Sequence, residues 1–198
     1  MLGRMDGHRP PEEVLSHHDR MLAGEPYRSD DPELVEAHLR ARCLSERFNR
    51  AGVDQSVLRG SILGELLGSF GAGSEIRPPF YCDYGSNLRM GTDCFVNFGL
   101  VALDAALITV GDDVQIGPQV QLLTPTHPTD PDLRRAKWEA AEPISIGDNV
   151  WLGGGCIVLP GVAIGEDTVV GAGTVVTTSL PAGVVAVGNP ARIVRSIR

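Results

Sequence analysis

Residues 146–176 read IGDNVWLGGGCIVLPGVAIGEDTVVGAGTVV. An aliphatic residue recurs at every sixth position: Ile146, Leu152, Val158, Ile164, Val170 and Val176. Glycine follows at 147, 153, 165 and 171, and a small or β-branched residue stands four positions on, at Val150, Cys156, Val162, Thr168 and Thr174. A period of six does not fit an amphipathic helix, whose apolar positions follow a 3.6-residue period. It fits a solenoid of flat strands and tight turns, three sixes to a coil. Each aliphatic side chain points inward and the residue after it opens the turn. A single coil cannot bury its own apolar face, so coils must stack.

The same phase extends upstream through Val110, Ile116 and Leu122, and a gap of four sixes separates Leu122 from Ile146. Met90 and Val96 keep the period, with two extra residues shifting the frame before Val110. Inside the gap, residues 124–143, TPTHPTDPDLRRAKWEAAEP, leave the repeat and rejoin it in phase. A polar, proline-studded excursion from a rigid solenoid costs chain entropy and points to function.

Before residue 70 the pattern is helical. Asp31-Pro32 is a start signal, a side-chain acceptor followed by a proline suited to the first helical position. Val35, Leu39, Cys43, Leu44 and Phe48 fall at near-helical spacing, and Gly52 is placed to end the helix in a left-handed cap. A second apolar face runs through Leu58, Ile62 and Leu66, and an earlier short helix is expected over 12–23. The organisation read from the chain is a flexible segment 1–11, a helical subdomain 12–70 and a repeat domain 71–198.

Composition narrows the classes. Hydrophobic residues make up 42% and charged residues 21%, so the chain buries a core. With 25 Asp+Glu against 17 Lys+Arg the net charge is -8, which argues against a general nucleic-acid or anionic-membrane binder. No stretch approaches the roughly 18 apolar residues of a membrane span, and the first residues carry no apolar run of the roughly 7–15 that a secretory signal needs. A cytoplasmic location is expected. Cys43, Cys82, Cys94 and Cys156 form no C-x-x-C, so they read as reduced thiols and no metal is expected. Neither a P-loop nor a G-x-G-x-x-G occurs.

The segments MLAGEPY, DPELVEAHLRARCLSERFN, CDYGSN, LLTPTHPTD, ISIGDNVWLGGGCIVLPGVAIGEDTVVGAGTVVT and VGNPARIV resemble the maltose, galactoside and nodulation-sugar O-acetyltransferases. These belong to the hexapeptide-repeat acyltransferases. The resemblance runs from about Met21 to Ile193. It implies a mainly β fold, a left-handed parallel β-helix with a small N-terminal helical subdomain and one extruded loop at about 124–143. The left hand comes from the resemblance alone, since ordinary parallel crossovers are right-handed. The resemblance also implies acetyl-CoA as co-substrate and a homotrimer with sites between subunits.

Acetyl transfer to a hydroxyl needs a base, donors for the oxyanion and a clamp for the thioester. His127 is the only one of five histidines in the repeat region, and it sits on the excursion. Imidazole titrates near neutrality and can accept the alcohol proton. A loop histidine taken alone reads first as a solvated side chain; the resemblance at TPTHP implies that His127 is the base. Glu139, in the same loop, stands where many relatives carry a glutamate and is expected to orient it. The family's oxyanion donor falls at Gly154. The donor clamp that the resemblance implies is Trp151 along the pantetheine arm, Ala172 with Thr177 along the strand edge, Thr178 near the nucleotide, and Arg192 and Arg195 at the nucleotide phosphates. Relatives commonly have lysine where this chain has Thr178. Acceptor contacts carry over to Asp30, Asp83, Asn97 and Asp104. Phe95, His38 and Ala105 depart from the galactoside pattern of tyrosine, arginine and a second aspartate. An acceptor hydroxyl outside the sugars, on serine or an antibiotic, is therefore a second reading. A structural solenoid without activity is a third. A γ-type carbonic anhydrase would need three histidines for zinc, and only His127 lies on the coils.

Overall fold

A computed structural model describes residues 15–197. The expected flexible segment 1–11 lies outside these residues, as does the start of the helix expected over 12–23. Three helices come first: α1 (His17–Leu22), α2 (Pro32–Arg50) and α3 (Ser56–Leu66). Asp31 caps α2, its side chain accepting from the Glu33 N–H at 3.0 Å, with Pro32 next. The left-handed cap at Gly52 is not adopted: Ala51 is extended, and the Gly52 N–H is taken by the Gln55 side chain at 2.8 Å, which turns the chain directly toward α3. The apolar face of α2 also differs from the expected one. Leu34, Ala41, Leu44, Ser45 and Phe48 are buried, whereas Val35, Leu39 and Cys43 are exposed. The buried set, which keeps only Leu44 and Phe48 of the expected residues, is centred roughly 160° around the helix from Val35, Leu39 and Cys43, because only that side meets the first coil through Phe48 against Phe80. On α3 the buried residues are Ile62, Leu63 and Leu66, and Leu58 is 41% exposed.

From Ser69 the chain winds as a parallel solenoid with three faces. Face I stacks Ser69–Phe70, Leu88–Met90, Ile108–Val110, Ile144–Ile146 and Ala163–Ile164. Face II stacks Glu75–Ile76, Phe95–Val96, Gln115–Ile116, Trp151–Leu152, Val169–Val170 and Val184–Val187, closed by antiparallel Arg192–Ser196. Face III stacks Phe80–Cys82, Leu100–Leu103, Gln121–Leu123, Ile157–Val158 and Val175–Val176. Coils register in sixes, as in Trp151 over Gln115 and under Val169. The in-phase residues Ile146, Leu152, Val158, Ile164, Val170 and Val176 are all buried. Val150, Cys156, Val162, Thr168 and Thr174 fill the corners and are buried too, the Thr168 hydroxyl donating to the Pro181 carbonyl at 2.8 Å.

The glycines after the aliphatic positions answer to spacing between coils. A Cβ on Gly147 would lie 2.7 Å from the Glu166 nitrogen, and one on Gly153 would lie 2.6 Å from the Ala172 nitrogen. The left-handed residue that turns the edge comes two positions later, at Asn149, Gly155, Asp167 and Gly173. The extra residues before Val110 swell the edge between faces III and I, at Asp104–Leu107. There the fully buried Asp104 carboxylate accepts from the N–H groups of Asp83 (3.0 Å), Tyr84 (2.8 Å) and Asn87 (3.1 Å). It fixes the turn that carries Asp83. Asp104→Ala should lower stability by about 1–3 kcal/mol, since it strands backbone donors in the interior; the midpoint of urea unfolding measures this.

Candidate functional site

The excursion leaves the solenoid at the edge between faces III and I. Its strands Pro125–Thr126 and Trp138–Ala141 pair antiparallel, with the short helix α4 (Pro131–Arg135) between them. On its other side, Trp138–Ala141 pairs with Tyr27–Arg28, Tyr27 opposite Glu139. The N-terminal segment and the excursion are thus sewn into one three-stranded sheet. That sheet holds His127, just past Thr126, above an open cavity of about 630 Å³ lined by Ser29, Asp30, His127, Arg134, Lys137 and Glu139.

His127 is exposed. Glu139 is half-buried and shares the cavity with His127. Its carboxylate accepts the Tyr27 hydroxyl at 3.4 Å, and among the described residues no hydrogen bond joins it to His127. Tyr27 is 1% exposed. Burial first, then the Glu139 charge, holds its phenol well above the ordinary range, so it stays a proton donor. Tyr27, the last residue of the MLAGEPY segment, has no role in the sequence patterns. The available signal was that a buried tyrosine hydroxyl requires a partner.

A second cavity of about 430 Å³ adjoins the first through Ser29 and Glu139, and its walls include Tyr27, His38, Asp83 and Tyr84. Burial raises the Asp83 carboxyl to about 6, reinforced by the Asp104 charge and opposed by the facing His38. Asp30 lies at the rim, ion-paired to Arg28 at 2.5 Å. The Arg28 hydrogen bond holds its carboxyl below the usual range. Asp104 requires a correction: it is fully buried, both oxygens are occupied by backbone amides, and it lines neither cavity. It supports Asp83 instead of touching an acceptor.

The remaining expected residues lie elsewhere on the prism. Asn97, Gly154 and Ala172 sit on the edge between faces II and III, and Trp151, 55% exposed, stands on face II beside it. The amides of Gly153 and Gly155 are satisfied by Val170 and Pro118, and Gly171 and Gly173 by Ala186 and Gly154. The amides of Gly154 and Ala172 donate to nothing among the described residues. Two free N–H groups one coil apart therefore line an exposed edge. Arg192 and Arg195 lie on the exposed strand Arg192–Ser196 that closes face II. Thr177 and Thr178 are exposed on the edge between faces III and I, the same edge as the excursion. Apart from Arg192 and Arg195, the chain thus separates these residues into two groups at opposite edges of face III. Among the described residues, no group of three or more His, Cys, Asp or Glu is placed to hold a metal.

Comparison with known proteins finds relatives over most of the chain. Residues 20–71 match the maltose acetyltransferase hexapeptide capping motif, and residues 143–178 match the bacterial transferase hexapeptide of six repeats. Nodulation protein L of Rhizobium leguminosarum bv. viciae is 47% identical over 178 residues, which is 90% of this chain and 94% of that protein. The crystal structure of a maltose O-acetyltransferase from Clostridium difficile 630 superposes with a TM-score of 0.92 at 40% identity, covering 93% of this chain and 98% of the other. A galactoside acetyltransferase in complex with coenzyme A gives 0.90 at 36% identity, over 93% and 92% of the two chains. The chain belongs to the maltose and galactoside O-acetyltransferase family of hexapeptide-repeat proteins, and is an acyltransferase of that type.

Proposed function

We propose that the protein moves the acetyl group of acetyl-CoA directly to a sugar hydroxyl, with His127 as general base. The observation that carries this reading is the placement of His127 beside Asp30 and Glu139 above an open cavity, on the one long excursion from a closed solenoid. In the step, His127 takes the hydroxyl proton as the oxygen attacks the thioester carbonyl. The O–C bond forms, the C–S bond breaks, and the protonated imidazole returns its proton to the departing thiolate. The free Gly154 amide is the oxyanion donor. Trp151 lies along the pantetheine arm with Ala172 beside it, Thr177 and Thr178 reach the donor from the excursion edge of the neighbouring copy, and Arg192 and Arg195 hold the phosphates as paired donors. Asp83 and Asp30 accept from sugar hydroxyls. Asn97 reaches the acceptor from a second subunit. The Tyr27 hydroxyl holds one Glu139 oxygen and leaves the other to steady the imidazole once substrate closes the cavity.

The site works as a homotrimer in this reading, with the excursion edge of one copy facing the Gly154 edge of the next. Two observations support it. The functional residues divide between two edges of each protomer. The outward row of face III, Tyr81, Val101, Gln121, Ile157 and Val175, is largely apolar, whereas that of face I, Ser69, Arg89, Thr109, Ser145 and Ala163, is largely polar. No helix among the described residues is long and apolar enough to cross a membrane. A cytoplasmic location belongs to this reading because acetyl-CoA is its co-substrate.

His127→Ala should lower kcat by about 10²–10⁴-fold while acetyl-CoA binding by calorimetry persists; an unchanged kcat rejects the base. Glu139→Gln and Tyr27→Phe should each reduce kcat more than they raise acceptor KM, and a change confined to KM would remove both from the proton path. Asp83 gives a pH test. Its folded value of about 6 exceeds the ordinary 3.8, so its contribution to stability is full below about 4 and is lost as pH rises through 6. Asp83→Asn should flatten the fall in unfolding free energy between pH 4 and 6.

A further inference from the structure

The strand Tyr27–Arg28 is two residues long, yet both acids that line the His127 cavity are held from it. The Tyr27 hydroxyl donates to Glu139 at 3.4 Å, and the Arg28 guanidinium donates to both Asp30 oxygens, at 3.1 and 2.5 Å. Tyr27 lies opposite Glu139 and Arg28 opposite Trp138, on the edge of the three-stranded sheet. Two residues of antiparallel pairing hold a strand only marginally, and an edge strand turns N–H groups away from its partner. The strand needs a second grip.

That grip is α1. His17, its first residue, accepts the Arg28 N–H at Nδ1, at 3.1 Å. The same ring leans on Trp138, with centroids 5.9 Å apart and planes tilted by 59°. Both side chains are half-buried. One imidazole thus satisfies an outward N–H of the edge strand and braces the strand paired with it, next to Tyr27 on one side and next to Glu139 on the other. A ring nitrogen that accepts carries no proton, so the ring is in its Nε2–H form. Arg20 adds a separate tether, donating to the Pro26 carbonyl at 2.8 Å, and it keeps the chain near α1 when His17 is replaced. His18 faces Glu33 of α2 instead, at 3.5 Å.

We propose that His17 is a positioning residue for acetyl transfer. By taking the Arg28 N–H and bracing Trp138, it sets where Tyr27–Arg28 sits against the excursion, and so where Glu139 and Asp30 stand beside His127. A displacement of about 1 Å at a catalytic group can cost on the order of 100-fold in rate, which is why a tether outside the cavity matters. This inference rests on the reading of His127 as the base with Glu139 behind it, and adds a residue to it.

The test uses the full chain with acetyl-CoA and the sugar that it turns over fastest. His17→Phe keeps a ring against Trp138 and removes the acceptor; His17→Asn places an amide oxygen close to the position of Nδ1. His17→Phe should lower kcat by about tenfold, the rate equivalent of one hydrogen bond of ordinary strength, and leave the KM for acetyl-CoA within about twofold. His17→Asn should recover most of the loss. Hydrogen exchange read by mass spectrometry should be faster over residues 26–30 in His17→Phe and close to the parent's in His17→Asn. Combined with Tyr27→Phe, the His17→Phe loss should add less than its full factor, because both changes act on Glu139. A parental kcat in His17→Phe overturns the proposal, as do equal losses in the Phe and Asn variants, exchange over 26–30 that is the same in all three proteins, or losses that multiply in the double variant. A His127→Ala protein with the parental kcat sinks the base reading itself and is recognised separately, because the exchange result does not pass through His127.

Discussion

The burial of one aliphatic side chain in every six residues is the constraint on which the molecule depends. Ile146, Leu152, Val158 and their successors point inward, and the backbone ladder between coils repeats their register. Each coil offers half of its apolar surface to the next, so none is stable alone. The faces are consequently filled by strands and cannot change. Chemistry is confined to the edges, where a backbone amide can be left free, as at Gly154 and Ala172, or a segment can be let out, as at 124–143.

The excursion is held from outside the solenoid. Its strand Trp138–Ala141 is an edge until Tyr27–Arg28 adds to it, and Tyr27 then carries a buried hydroxyl to Glu139. The helical segment does two jobs through that contact: it closes the first coil through Phe48 on Phe80, and it supplies the outer wall of the cavities through α2. The wall is acidic at its base. Asp83 and Asp104 approach each other there, with only the His38 imidazole opposing the Asp83 charge. Amide donors to Asp104 make that arrangement tolerable, and a partly protonated Asp83 is the cost.

Much of this was legible in the sequence, because period and phase are local properties. The solenoid, its corner residues, the excursion and the isolation of His127 follow from counting in sixes. What was not legible depended on which neighbour a residue meets. Periodicity joined Val35, Leu39 and Cys43 to Leu44 and Phe48 in one apolar face, but the first coil lies against Leu34, Leu44 and Phe48 on the other side of the helix, and the spacing of apolar residues does not say which side will be packed. Asp104 was expected among the acceptor contacts because the family resemblance carried it over; its backbone partners, 17 to 21 residues away, are invisible until the coil closes. Tyr27 meets Glu139 across 112 residues and left no local trace beyond being a tyrosine that had to be buried.

The division of the chemistry between two edges of one prism is the most exposed part of the account. It is tested most directly by mixing subunits. His127→Ala chains and Trp151→Ala chains, each impaired alone, would be co-expressed with different tags and purified as mixed assemblies. Sites that join the intact excursion of one copy to the intact Gly154 edge of its neighbour predict a return of acetyl transfer in the mixture. Mixed assemblies that form and remain as inactive as their parents would contradict it.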